Sequence, residues 1–185
     1  QLYNVPVVSD SSFSFINLEN DWFFNHKLEN SGEGRNYGLD LTLEQYLTKG
    51  FYYMVTASLF NSEFKGGDGS WRDTRFNRNY LLNILAGKEW QLGKNNANGL
   101  GVNFRLSYQG GYRYSPVNKT ASALIKDVVF DELKAYSEQL PSSFNVHFTI
   151  SYKINKENTS YEIALKVLNA TMQKDFYGFE YNQIN

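Results

Sequence analysis

The stretch Asn145 to Ile154, NVHFTISYKI, alternates without a fault: Val146, Phe148, Ile150, Tyr152 and Ile154 are apolar, and Asn145, His147, Thr149, Ser151 and Lys153 are polar. Successive side chains of a strand point to opposite faces, so this segment has one greasy face and one wet face. The same period recurs in Asn36–Leu47, Phe51–Phe60, Tyr80–Leu92, Leu100–Gly111 and Tyr161–Thr171, least cleanly in Tyr80–Leu92. Six strands are therefore expected. Where the wet face looks decides the fold: bulk water implies a half-buried sheet of a soluble protein, and enclosed water implies a barrel in a membrane.

The connections bear on that choice. Leu47–Gly50, Gly93–Gly99 and Asn155–Ser160 are short, whereas Asn61–Arg78 and Tyr112–Pro141 are long. Long loops without purpose are uncommon in a compact soluble domain, while short turns alternating with long outer loops are the habit of outer-membrane barrels. A tilted strand crosses a bilayer in about 9–11 residues, a length these runs reach. Aromatic residues make up 17% of the chain. Tyr37, Phe51, Tyr53, Trp90, Tyr108, Phe144, Tyr152 and Tyr161 fall near strand ends, as interfacial girdles do. Asp40, Glu44, Glu89, Arg105, Lys153, Glu162 and Lys166 all lie on the wet register. Only Lys88 sits on the apolar one, next to a turn where its long stem can carry the ammonium out of the apolar layer.

The expected architecture is thus all-β: an antiparallel, up-and-down transmembrane β-barrel segment of about six strands. Residues 1–35 form an outer loop or short strands (Phe13–Leu18 and Asp21–Phe24 are the candidates), 36–171 the meander, and 172–185 a loop. Within the second long loop, Ala121–Gln139 carries Leu124, Val128, Leu133 and Tyr136 near helical spacing, which suggests a short amphipathic helix. The alternative is a soluble β-sandwich or small barrel acting as a ligand-binding module.

Composition removes other classes. A net charge of −1 gives no electrostatic ground for a nucleic-acid partner. The absence of cysteine excludes disulfides and thiolate metal sites. No run approaches the roughly 18 apolar residues of a membrane helix.

Candidate site residues are few. The loop Glu63–Arg78, EFKGGDGSWRDTRFNR, joins Gly-rich flexibility to Trp71, Arg72, Asp73, Arg75 and Phe76, residue types that bind sugars or peptides by stacking and charge-assisted hydrogen bonds. Arg105, Asp40, Glu44 and His147 are wet-face candidates for lining a substrate path. Asp68-Gly69 lacks the spaced acids of a calcium loop, and Gly66–Gly69 lacks the Lys-Ser/Thr of a phosphate cradle. No set of residues has metal-ligand or catalytic spacing, so neither enzyme activity nor a cofactor is expected.

The segments GEGRNYGLDLTLEQYLTKGFYYMVTASLFNSEFKGGDGSWRDTRFNRNY (32–80), NILAGKEWQLGKNNANGLGVNFRLSYQGGYRYSPV and VVFDELKAYSEQLPSSFNVHFTISYKINK, with the final ALKVLNATMQKDFYGFEYN, resemble the late barrel of TonB-dependent outer-membrane receptors of the Bacteroidetes type. The resemblance implies a fragment of a receptor barrel in a bacterial outer membrane that imports a bulky nutrient (glycan, peptide or metal chelate). Its partners would be the lipid bilayer, the rest of the barrel and its plug, the coupling protein TonB through a segment outside these residues, and a surface lipoprotein. The family's final strand is expected beyond residue 185.

Overall fold

The computed structural model describes residues 1–18, 26–174, 176 and 178–180. The expected segment Asp21–Phe24 lies outside the described residues. All six alternating runs are strands: β2 (Leu28–Thr48), β3 (Phe51–Lys65), β5 (Tyr80–Leu92), β6 (Asn98–Gln109), β9 (Ser143–Asn155) and β10 (Ser160–Val167). The number expected is nevertheless too low. β1 (Leu2–Val8) and β4 (Trp71–Asp73) join the same antiparallel sheet, and β7 (Arg113–Tyr114) pairs with β8 (Glu138–Gln139) apart from it.

The main sheet runs β1-β2-β3-β5-β6-β9-β10, with β4 added to the far end of β3. It does not close on itself. Lys49 and Gly50, both at positive φ, make the two-residue turn between β2 and β3, the backbone twist that tight hairpins favour. The short connections β2–β3, β5–β6 and β9–β10 share one end of the sheet, and the long excursions 9–27, 66–79 and 110–142 share the other.

Register keeps like faces aligned across six strands. Leu43, Val55, Ile84, Leu106 and Val146 follow one another laterally, as do Val102, Ile150 and Leu165. Among the described residues no second layer covers this apolar face. The long strands make their inter-element contacts with lateral neighbours, and Leu39, Leu41, Ile163 and Leu165 are 70%, 65%, 70% and 63% exposed. Among the described residues the only other sheet is the two-residue β7–β8 pair, so the two packed sheets of a sandwich are not found. Lys88, the exception on the apolar register, sends its Nζ to the Lys49 carbonyl oxygen at 2.9 Å in the adjacent turn. On the wet face Tyr52 lies across Gly87, where a Cβ would meet the ring at 2.4 Å, and its hydroxyl reaches the Asn103 side-chain oxygen two strands away. A glycine gap filled by an aromatic ring is a known device of curved sheets.

What core exists lies at the long-loop end. Among the described residues Val5, Val7, Phe64 and Ala135 are the buried apolar ones. Val7 sits over Gly32 and Ile16 over Gly34, and Phe64 meets Tyr136 edge-on at 5.9 Å. Gly32, Gly34 and Phe64 share the wet register, so the loops fold onto that face.

Three local expectations need correction. The stretch 13–18 is a 3-10 turn at Phe15–Asn17, begun by the Ser14 hydroxyl accepting from the Ile16 N–H, and not a strand. The helix of the second long loop spans only Lys119–Ile125, capped by Asn118 and ended by left-handed Lys126; it buries Ser122 and leaves Leu124 exposed. Gly66 and Gly67 are packing seats for backbone, not flexible joints, since a Cβ on Gly67 would stand 1.9 Å from the Val8 carbonyl oxygen. Gly67→Ala should therefore detach the 66–70 turn from the 8–12 segment and open Glu63–Arg78 to protease, with wild type resistant under the same digestion.

Candidate functional site

The loop candidates are placed by β4. Trp71 pairs with Lys65, Arg72 with Phe64 and Asp73 with Glu63, so Trp71 and Asp73 share the side of Leu39 whereas Arg72 points with Phe64 to the wet side. The Arg35 guanidinium stacks on the Trp71 ring at 4.3 Å and donates to Glu63 at 2.6 Å. Beside that pair, Lys65 meets Glu33 at 3.1 Å. Arg72 donates to both carboxylate oxygens of Asp68, at 2.9 and 2.6 Å, and this bond holds the Asp68 carboxyl below the usual carboxylate range. The Asp68-Gly69 turn is closed further by Ser70 N–H donating to Asp68 Oδ1 at 3.0 Å.

Arg113, on β7, ties the two long loops together. Its guanidinium lies 3.0 Å from Asp73 and donates to the Asn77 carbonyl and the Asn79 side-chain oxygen, both at 3.2 Å. Buried Asn77 donates to Asn61 at 2.7 Å and to Asp73 at 2.6 Å, and buried Thr74 donates to Ser62 at 2.8 Å. Such closed polar networks fix a loop conformation. Arg72 and Asp73 are thus occupied in holding the loop, and Trp71 is stacked under Arg35.

Arg75 stands differently. Its N–H donates to Asn17 Oδ1 at 2.8 Å and its carbonyl accepts from Arg113 N–H at 3.0 Å. Arg75 lines two cavities. The larger, of about 450 Å³, is bounded by Ser11, Asn17, Ser115 and Glu132. The smaller, of about 260 Å³, is walled by Tyr112, Tyr114, Phe130, Phe176 and Phe179. Phe76, exposed at 40% and backed by Tyr112, borders a third, wet-face cleft of about 560 Å³ with Asn36, Asp40, Ser58 and Phe60.

The wall candidates form a separate group. Arg105 on β6 faces His147 on β9 in direct register, about 13 Å along the strand from the loop end at ~3.3 Å per residue. The structure joins these two to each other and separates them from Trp71, Arg72, Asp73 and Arg75. His147 Nδ1 accepts the Asn169 N–H at 3.2 Å, so the neutral ring carries its proton on Nε2. Arg105 makes no ion pair among the described residues, and no group of three or more His, Asp or Glu there could hold a metal ion.

Glu44, a wet-face candidate from the sequence, shares the Arg105 row with Met54 and Leu85; those two were not singled out by sequence reasoning, nor was Arg113. Adding strand offsets would have found Met54 and Leu85. Arg113 has no local signal, because its partners lie more than thirty residues away. Comparison with protein-family models, curated proteins and solved structures gave no significant match.

Because its pKa is lowered in the fold, Asp68 stabilises the turn at pH above the ordinary carboxylate range of about 4, and that contribution disappears as pH falls through the lowered value. Acid titration followed by Trp71 emission should show a low-pH transition that Asp68→Asn lacks. At neutral pH the same substitution should cost on the order of 1 kcal/mol, the pair lying in a surface turn with its side chains 11% and 24% accessible.

Proposed function

We propose that the chain forms part of the wall and outer loops of an outer-membrane β-barrel receptor that imports a bulky nutrient. The observation that carries this reading is the bare apolar face, continuous over β2, β3, β5, β6, β9 and β10 with no protein layer against it among the described residues. Soluble monomers rarely expose more than a few hundred Å² of contiguous apolar surface, and acyl chains remove the difficulty.

Three further features support it. On the apolar register, Tyr80, Tyr108 and Phe144 form one contiguous aromatic row at the loop end, with centroid spacings of 5.3 and 6.1 Å. Phe51, Tyr53, Trp90, Tyr152 and Tyr161 lie toward the short turns on the same register. From Tyr80 to Trp90 is about 33 Å along the strand, which projects to about 25 Å at a ~40° tilt, the height of the apolar band in such barrels. Lys88 leaves the apolar layer for a turn carbonyl, as an amphipathic stem in lipid should.

The open edges complete the argument. Among the described residues β10 has no outer neighbour, and β2 beyond Gly34 has none either. In lipid each unpaired backbone group costs several kcal/mol, so the sheet calls for further strands on both sides, which the rest of a receptor barrel supplies. In this reading the residues here provide wall, girdle and loop contacts, and the plug and TonB act on the barrel as a whole.

The chain has no cysteine, so single cysteines can be placed along β9 one at a time for spin labelling in lipid vesicles. Positions 146, 148 and 150 should be accessible to oxygen and shielded from a water-soluble nickel reagent, with the reverse at 145, 147 and 149; a flat profile would overturn the proposal. Ile150→Arg should destabilise the inserted protein by about 2–4 kcal/mol, as a mid-bilayer charge does, and Thr149→Arg by much less, measured by urea unfolding in vesicles.

A further inference from the structure

On the wet face one row crosses five strands in strict register: Glu44, Met54, Leu85, Arg105 and His147. It is acid at one end, apolar in the middle and basic at the other. The Glu44 carboxylate accepts from the Tyr46 hydroxyl at 3.0 Å and meets no cation among the described residues. Asp40, four residues along the same face, likewise has no ion pair there. At the far end Arg105 makes no ion pair among the described residues, His147 presents Nε2–H, and Lys166 stands one row on, laterally beyond Thr149. Between the two ends, the wet faces of β3 from Tyr52 to Ser58 and of β5 from Leu81 to Gly87 bear no charge. Met54 and Leu85, 40% and 38% exposed, are apolar side chains on a face that is otherwise mostly polar.

From these observations we infer that this row binds a short, free-ended, extended peptide lying across the strands. Its amino terminus sits at Glu44, its apolar side chains on Met54 and Leu85, and its carboxylate at Arg105 and His147. Charge complementarity selects this occupant. A neutral oligosaccharide has no use for opposite charges at the two ends, and an anionic metal chelate would be repelled from the acidic end. Length agrees: three lateral spacings of about 4.8 Å separate Glu44 from Arg105, about 14 Å, which a backbone rising ~3.3–3.6 Å per residue spans in about four residues. The inference rests on the reading of the wet face as an open lumen wall.

The test is calorimetric titration of the purified protein in detergent with Ala-Leu-Leu-Ala, its N-acetyl form, its C-terminal amide and a neutral tetrasaccharide. Each blocked terminus should weaken binding about ten-fold, the size of one lost charge-assisted contact. Glu44→Gln should abolish the effect of acetylation and keep that of amidation, and Arg105→Gln should do the converse. Both substitutions change only wet-face charge, and retention of the sheet is checked by circular dichroism. Equal binding of free and doubly blocked peptides, equal binding of the tetrasaccharide, or no peptide binding by folded wild type overturns the inference. The spin-label profile of β9 stands apart from these readouts: it reports the bilayer, so an alternating profile with no peptide binding would sink the peptide and leave the wall.

Discussion

Sideways hydrogen bonding is what the rest of this molecule depends on. Most domains are held by two layers pressed together, and each strand then answers to the shapes of the side chains opposite it. Here the long strands have no opposite layer among the described residues. Order comes from the ladder: β2 to β3, β3 to β5, β5 to β6, β6 to β9 and β9 to β10, each antiparallel and almost free of slips. A one-residue slip in any of these pairings would exchange the two faces of every strand beyond it. Only the β2–β3 register shifts, between Gln45 and Thr48, beside the turn.

That dependence explains why the strands were legible in the sequence. A wall with one apolar and one polar environment imposes strict alternation, and alternation can be read directly from Val146 to Ile154 or from Leu100 to Tyr108. β1 escaped notice because Pro6 interrupts it and Asn4 has positive φ; it survives as an edge strand with two register shifts, the setting where proline is tolerated. β4, β7 and β8 are two or three residues long and owe their existence to β3 and to the loops, not to local pattern. The same holds for the helix at 119–125, whose apolar spacing suggested a buried face while the structure buries Ser122 instead.

The candidate site was legible only in its ingredients. Arg105 and His147 were visible as wet-face residues, but their adjacency follows from pairing across the 110–142 excursion. For the loop, residue type misled. Trp71, Arg72 and Asp73 have the chemistry of ligand recognition and spend it internally, on Arg35, Asp68 and Arg113. A binding residue and a loop-fixing residue use the same functional groups, and only long-range geometry tells them apart.

The excursion between Gln109 and Ser143 leaves from and returns to strands that are immediate neighbours. Its ends are pinned by the ladder whatever lies between them, and closure entropy grows only by about 0.6 kcal/mol for each doubling of length. The outer surface can therefore be rewritten over evolutionary time, lengthened, shortened or recombined, while the staves beneath keep their places.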